Sequence, residues 1–418
     1  MLSPLRQRLV GQRQLLLNFV SLSSINLLNL LAPVIVIPWL LHTLGVRQYG
    51  VIALHQYLGQ FVLMWVDFGF NTWAVNEVAG RAQDRRALAA LVGSIYLIKL
   101  ALCAVVVLAL GVLALNPQWV AAAGLNLPLL AAFAALGALN SFYPGWLFQG
   151  LERIHALIVP TALARLGTVA LVFVLVRQPG DMWAVPVAYL ASSVLLDFSA
   201  ARQLLRSVGW PTLLPWRQMV TVAQHAGQVF GSRLIIMIYV ACSPLLVRAA
   251  AGAEGVAIYS LCEKAIGLCR VPFDMLANAA YPRLAREYRK TFAQRLLQLQ
   301  LGAALAVVLL LTAALHFAGP YLLPADWAHA GNYLMLYSLA LIPIAAHSFM
   351  GTCVLLVHGK RWALSLSIVV GLAAYIVAWS AGGWLWEDPL ARVITAMVMV
   401  EFGICASRYF HSRKSGLI

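Results

Sequence analysis

Residues 88–115 read L-A-A-L-V-G-S-I-Y-L-I-K-L-A-L-C-A-V-V-V-L-A-L-G-V-L-A-L, an apolar run whose one charge is Lys99. A helix rises about 1.5 Å per residue, so about 20 apolar residues cross the hydrocarbon core of a bilayer. This run exceeds that length, and its solvent is therefore lipid. The rest of the chain agrees. Of 418 residues, 62% are hydrophobic and 10% are charged, with a mean hydropathy of +0.84. Soluble domains carry about 25% charged residues. Too little polar surface exists here to cover the chain in water, and the fold class is all-α integral membrane.

Twelve such runs lie near 15–41, 49–72, 88–115, 125–148, 154–176, 183–203, 225–248, 255–280, 297–318, 331–357, 362–385 and 390–410. Several contain Pro or Gly, which membrane helices tolerate. The first run follows basic residues, as the apolar core of a signal peptide would. It is longer than the roughly 7–15 residues of such a core, and no small-x-small cleavage site closes it. It reads as an uncleaved span.

The basic residues set the orientation. Twenty of the 29 Lys and Arg residues lie in the N-tail, in the loops after even-numbered spans, and in the C-tail, where Arg408, Arg413 and Lys414 fall. Only Arg47, Arg177, Arg248 and Arg392 lie in the opposite loops. The positive-inside rule then places both termini in the cytoplasm. It also accounts for most of the net charge of +15, so no nucleic-acid partner is needed.

The chain carries a weak internal similarity. Pro38 stands 12 residues before Gly50-Val51, and Pro244 stands 11 before Gly255-Val256. The offset is half the chain and six spans, so the halves are expected to be parallel repeats, as in transporters that rock two bundles about a central site. This gives an N-terminal six-helix lobe over 1–203, a linker over 204–222 and a C-terminal six-helix lobe over 223–418, arranged around a central cavity. The linker's Trp210, Pro211, Pro215, Trp216 and Arg217 suit the cytoplasmic headgroup layer.

Several chemistries are absent from the sequence. Gly359-Lys360 lacks the upstream Gly of a phosphate-binding loop, and neither HExxH nor GxSxG occurs. Cys103, Cys242, Cys262, Cys269, Cys353 and Cys405 all fall in apolar runs with no CxxC or Cys/His spacing. No metal or cofactor is expected, and the cysteines read as small buried hydrophobes. The outward loops are short, the longest near 116–124 and 319–330, which leaves no room for the external domain of a membrane glycosyltransferase, polymerase or ligase. A transporter without its own ATPase, rather than an enzyme, is the class that remains.

Five cations lie inside the spans: Lys99, Arg165, Arg233, Lys264 and Arg270. The acids within or at the ends of spans are Asp67, Asp197, Glu263, Asp274 and Glu401. A charge at the bilayer centre costs about 2.5–3.5 kcal/mol on insertion scales, so these groups face partners or water rather than lipid. In the eighth run Glu263, Gly267, Arg270 and Asp274 recur at i, i+4, i+7 and i+11 and share one helical face. Arg270 with Asp274 is then either a structural pair or part of a wet cationic cavity that receives an anionic group, most simply a phosphate. Glu401 and His347 are ambiguous between interhelical hydrogen bonding and ion coupling.

Residues 142–153 read F-Y-P-G-W-L-F-Q-G-L-E-R. Physics explains a helix broken at Pro144-Gly145, with Trp146 at headgroup depth and Glu152-Arg153 at the exit. It does not explain Gln149 and Gly150. The stretch resembles the signature of O-antigen and other polysaccharide flippases of the Wzx type. L-L-H-T-L-G-V-R-Q-Y-G-V at 40–51, V-D-F-G-F-N at 66–71 with Asn76-Glu77-Val78-Ala79, V-A-I-Y-S-L-C-E-K-A at 256–265 and A-Y-P-R-L at 280–284 are similar to that family as well.

The resemblance implies the fold of the multidrug/oligosaccharidyl-lipid/polysaccharide exporter superfamily. It also implies a role flipping an undecaprenyl-diphosphate-linked oligosaccharide across a bacterial inner membrane. Its partners would be that lipid-linked substrate, membrane lipids and other assembly proteins such as a polymerase or chain-length regulator. On this reading Lys99, Arg165, Arg233, Lys264 and Arg270 line a cationic lumen that binds the diphosphate, and Asp67, Glu263, Asp274 and Glu401 serve coupling or gating. A cation-coupled multidrug exporter of the same superfamily is the alternative; such exporters depend more on membrane carboxylates, since their substrates are often cationic.

Overall fold

The computed structural model describes residues 4–317 and 328–418, with side chains from Ser24 onward except those of 232, 233, 235, 236, 238–241, 328, 329, 384 and 385. Among these residues every regular element is helical. The chain divides into two units, 1–237 and 238–418.

The first unit holds α1 (Pro4–Leu44), α2 (Val46–Asp67), α3 (Phe70–Gly80), α4 (Arg85–Leu115), α5 (Pro117–Ala122), α6 (Leu127–Ser141), α7 (Gly145–Gly150), α8 (Ile158–Leu175), α9 (Ala184–Val208) and the start of α10 (Trp216–Arg286). The second holds the rest of α10, α11 (Lys290–Phe317), α12 (Ala328–Ser338), α13 (Leu341–Phe349) running into a π-helix over Met350–Leu356, α14 (Arg361–Leu385) and α15 (Pro389–Lys414).

Ten helical stretches among the described residues are long and apolar enough to cross a membrane. The expected twelve are not all reached, for two reasons. The second expected span lies on α2, which carries Arg47, Gln48, His55, Gln56, Gln60 and Asp67 and is less apolar than its neighbours. The seventh, over 225–248, includes residues outside the described side chains and shares α10 with the eighth, a helix that breaks at Gly252. The membrane assignment itself stands. On α4, Val105, Val107, Leu108, Val112 and Leu115 are exposed, a surface that only lipid can solvate.

The span expected over 49–72 stops at Asp67. Phe68 and Gly69 both take the left-handed conformation, with φ of 48° and 84°, which reverses the chain into α3. A phenylalanine there is strained. It is held because its ring stacks on Phe230 with centroids 4.9 Å apart. Glycine is required next to it, since a Cβ on Gly69 would lie 2.7 Å from Ala226 O.

The break at Pro144 turns α7 back onto α3. Trp146, expected at headgroup depth, faces protein rather than the bilayer. It is 1% exposed and packs in a core with Phe70, Ala74, Val78, Leu91 and Leu147. The same packing accounts for Gly150, whose Cβ would lie 2.7 Å from both Val75 O and the Val78 side chain.

Residues 209–215 lie along α4. Thr212 N–H donates to Ala89 O (3.1 Å) and Leu214 N–H to Ser94 Oγ (2.9 Å). Trp210 and Trp216 stay largely exposed. Val222 and Ala226 then enter the core around Phe70. The start of α10 thus packs with the first unit, whose division from the second falls at 237/238.

In the second unit a core of Ala277, Leu284, Ala293, Phe349, Cys353 and Val354 joins α10, α11 and α13 with the π-helix, and Leu417 and Ile418 pack against it.

Candidate substrate-binding site and the buried charges

Where α6 ends at Ser141, its last carbonyls lack helical partners because the chain breaks at Pro144. Two side chains from α4 take their place. Lys99 Nζ donates to Ser141 O (2.5 Å), and Tyr96 OH donates to Phe142 O (3.0 Å). A cation at a helix C-terminus also answers the negative end of the macrodipole. Lys99 Nζ lies 3.2 Å from Asp67 Oδ1 and 5.8 Å from the centre of the Phe70 ring. The lysine is fully buried. With its ammonium engaged on each side, Lys99 and Asp67 brace α2, α4 and α6 together, and no external anion reaches them here.

Arg165 on α8 is half-buried, and its Nε donates to Asn29 Oδ1 on α1 (2.7 Å). On α9, both carboxylate oxygens of Asp197 are buried with no hydrogen-bond partner. The side chain of Arg233 lies outside the described residues.

The second unit gathers more. On α10, Lys264 Nζ stands 3.5 Å from Glu263 Oε2. One turn and a half further, Arg270 Nε stands 3.0 Å from Asp274 Oδ2, with the two side chains 43% and 39% exposed. Ser348 Oγ donates to Asp274 Oδ1 (2.5 Å), which joins α10 to α13. Half-exposed charges in the middle of an apolar helix imply a wet surface rather than a lipid-facing one.

A second cluster lies on α13 and α15. His347 Nε2 is 2.6 Å from Glu401 Oε2. Arg408 Nη1 donates to His347 O (2.8 Å) and lies 3.4 Å from His347 Nδ1, while its Nε donates to Ser367 Oγ (3.1 Å). A guanidinium only donates, so Nδ1 is the acceptor and Nε2–H points at the Glu401 carboxylate. The π-helix begins three residues after His347, and such segments recur at functional sites.

Of the nine residues expected to act, the structure brings together Lys99 with Asp67, Lys264 with Glu263, and Arg270 with Asp274. Glu401 pairs with His347 instead of with one of the expected cations. Arg408, which its sequence position places in the cytoplasmic tail, lies on α15 with its guanidinium turned toward His347 and Ser367. A signal was available, since Arg408 lies seven residues after Glu401 and shares its helical face.

Residues 15–288 match the model of the family described as polysaccharide biosynthesis protein. The chain belongs to that family. Among relatives of this polysaccharide biosynthesis protein is one from Shigella dysenteriae, provisionally named an O-antigen transporter. It is 25% identical over 380 residues, covering 88% of this chain and 94% of the relative. A second, from Escherichia coli (strain K12), bears the same provisional name and is 22% identical over 375 residues, covering 86% of this chain and 88% of the relative.

The fold is shared with solved transporters of the MOP superfamily. An inward-facing multidrug resistance transporter of the MATE family aligns with a TM-score of 0.73 at 15% identity, over 94% of this chain and 95% of that one. A MOP superfamily transporter from Pyrococcus furiosus aligns with a TM-score of 0.55 at 14% identity, over 97% and 96%.

Proposed function

We propose that this polysaccharide biosynthesis protein is a flippase. It moves an undecaprenyl-diphosphate-linked oligosaccharide, an O-antigen repeat unit or a related surface-polysaccharide unit, from the cytoplasmic to the periplasmic leaflet of a bacterial inner membrane by alternating access. Both termini lie in the cytoplasm on this reading. The observation that carries it is the Arg270–Asp274 pair: a guanidinium in the middle of an apolar helix, 43% exposed and held by one oxygen of its partner, still has donors to offer a phosphate. Lys264, 40% exposed on the same helix, supplies a second positive charge. The provisional naming of both relatives as O-antigen transporters supports the choice of substrate.

In this scheme Arg270 and Lys264 hold the diphosphate, Arg165 and Arg233 contribute further positive charge, and Lys99 keeps its own lobe in shape. Glu263, Asp274 and Glu401 balance the cations when the substrate is absent. An inside-negative potential favours outward movement of an anion by about 2.3 kcal/mol per charge per 100 mV.

The test is purified protein in liposomes loaded with undecaprenyl-diphosphate-oligosaccharide, scoring the fraction that an external glycosidase reaches. Protein-dependent exposure supports the flippase. No exposure from folded protein under any imposed ion gradient, together with efflux of cationic drugs, would transfer the assignment to a multidrug exporter.

A further inference from the structure

Three arginines converge where α10 passes into α11, away from the paired charges described above. Arg283, Arg289 and Arg295 line an open surface pocket of about 250 Å³ together with Glu287, Thr291 and Phe292, and the Arg289–Glu287 pair in it is itself largely exposed. Two of them are held in place. The Arg283 guanidinium lies over the Phe292 ring at 4.6 Å, and Arg289 grips Glu287 Oε1 through Nε (2.8 Å) and Nη2 (2.6 Å). The connection is pinned from below, since Tyr288 OH donates to Leu417 O (2.8 Å) and Lys290 Nζ to Gly416 O (3.2 Å). The cavity is therefore built on fixed backbone rather than on a free loop.

Its chemistry is anionic recognition. Three guanidinium groups against one carboxylate leave two positive charges, the Thr291 hydroxyl adds a donor, and the 28-residue α11 begins beside the pocket at Lys290. Arginine suits phosphate because its planar fork offers paired donors.

The neighbouring surface distinguishes a lipid from a free ion. From Arg295, the positions at i+4, i+7, i+11 and i+14 are Leu299, Gly302, Ala306 and Leu309, all exposed and all on one face of α11. Leu299 and Leu309 are 61% and 60% exposed. An apolar stripe runs from the arginines along the helix, as an acyl or prenyl chain below a phosphate head requires. In the orientation proposed above, the cavity lies at the cytoplasmic headgroup level, where basic pockets between membrane helices hold anionic lipid heads.

We propose that Arg283, Arg289 and Arg295 form a binding site for a lipid whose head carries two phosphate charges. Two lipids share that chemistry: a bisphosphate glycerophospholipid such as cardiolipin, and a polyprenyl diphosphate.

The full-length protein is placed in nanodiscs of phosphatidylcholine, and cardiolipin or undecaprenyl diphosphate is titrated in separate arms, with bound lipid counted by native mass spectrometry. Either lipid is expected to outcompete phosphatidylcholine, and Arg283→Ala/Arg295→Ala to weaken it about thirtyfold. Arg295→Lys, which keeps the charge and loses the fork, is expected to fall between. Binding in the cardiolipin arm alone assigns the site to bulk lipid, binding in the diphosphate arm alone assigns it to the prenyl lipid, and binding in both assigns it to the shared head. Neither lipid binding better than phosphatidylcholine would overturn the proposal, as would unchanged binding by a double variant with a native melting curve. No flipping is measured, so this result stands apart from the flippase test.

Discussion

The ammonium of Lys99 lies 3.2 Å from Asp67 Oδ1 and 2.5 Å from Ser141 O, within the interior of the first unit. One buried charge thus answers a carboxylate on α2 and the frayed end of α6. Removing one member of a buried ion pair strands the other, at about 3–5 kcal/mol. Lys99→Met is expected to lower the thermal unfolding midpoint in detergent sharply, and Asp67→Asn to do so less. Combining them should cost less than the sum of the two, because neither charge is then left alone. Additive losses would show that the pair is not coupled.

Arg270 is half-exposed, and its exposed i,i+4 pair with Asp274 contributes only about 0.3–0.5 kcal/mol. Arg270→Ala should therefore insert and melt like the parent, and the transport of Lys264→Ala is read against its own insertion and melting midpoint. Loss of a charge-assisted hydrogen bond to phosphate, about 1.5–3 kcal/mol, should lower flipping about tenfold or more. The glycosidase-accessible fraction per unit time reports it. Native rates in both variants would remove these residues from the substrate path.

At Gly150 a Cβ would stand 2.7 Å from the carbonyl oxygen of Val75, which is backbone and cannot swing aside. Gly150→Val is expected to cost about 1–3 kcal/mol, as overpacking does, read as a lower melting midpoint. Gly180, whose Cβ would meet nothing within 4 Å, is the control: Gly180→Ala should leave the midpoint where it is.

Arg408 holds two neighbours at once, the carbonyl of His347 and the hydroxyl of Ser367. Arg408→Ala should destabilise by about 1.5–3 kcal/mol, the range for hydrogen bonds to a charged group. Arg408→Lys keeps the charge but cannot span both acceptors with a planar fork. Full recovery of the melting midpoint by lysine would show that charge alone matters there.

Asp197 presents the opposite case, a carboxyl whose two oxygens are buried without a hydrogen-bond partner, with Arg165 close enough to act on it electrostatically. An unsatisfied buried polar group costs about 1–3 kcal/mol. Asp197→Leu, which removes the group altogether, is expected to melt no lower than the parent. A drop of several degrees would mean that the carboxyl has a partner in the membrane-embedded protein.

The membrane class was readable from one run of residues, because lipid imposes a length and a polarity on whatever crosses it. The distribution of basic residues was equally plain to see. What hydropathy does not report is rotation about the helix axis. Trp146 and Arg408 both sit where a span meets water in the linear reading, yet both turn inward, one against Phe70 and the other beneath His347. The reversal at Phe68-Gly69 was hidden for another reason. It depends on Ala226 and Phe230, which are remote in sequence. Lys99 stands out in the sequence as the one charge in an apolar run, but its partner at Ser141 is a backbone carbonyl, which no side-chain pattern announces.

Residues 209–230 look in the linear sequence like a tether followed by the opening of a new lobe. In the folded chain they are bound to α4 through Ala89 and Ser94 and carry part of the packing around Phe70. Split-gene complementation therefore has a preferred cut. Two fragments parted at 203 or 222 would each carry a mismatched edge, the first lacking pieces of its own interior and the second bearing them uselessly. Fragments parted at 237/238, where the two units divide, keep the contacts of each unit on one polypeptide, and that version is the one expected to reassemble.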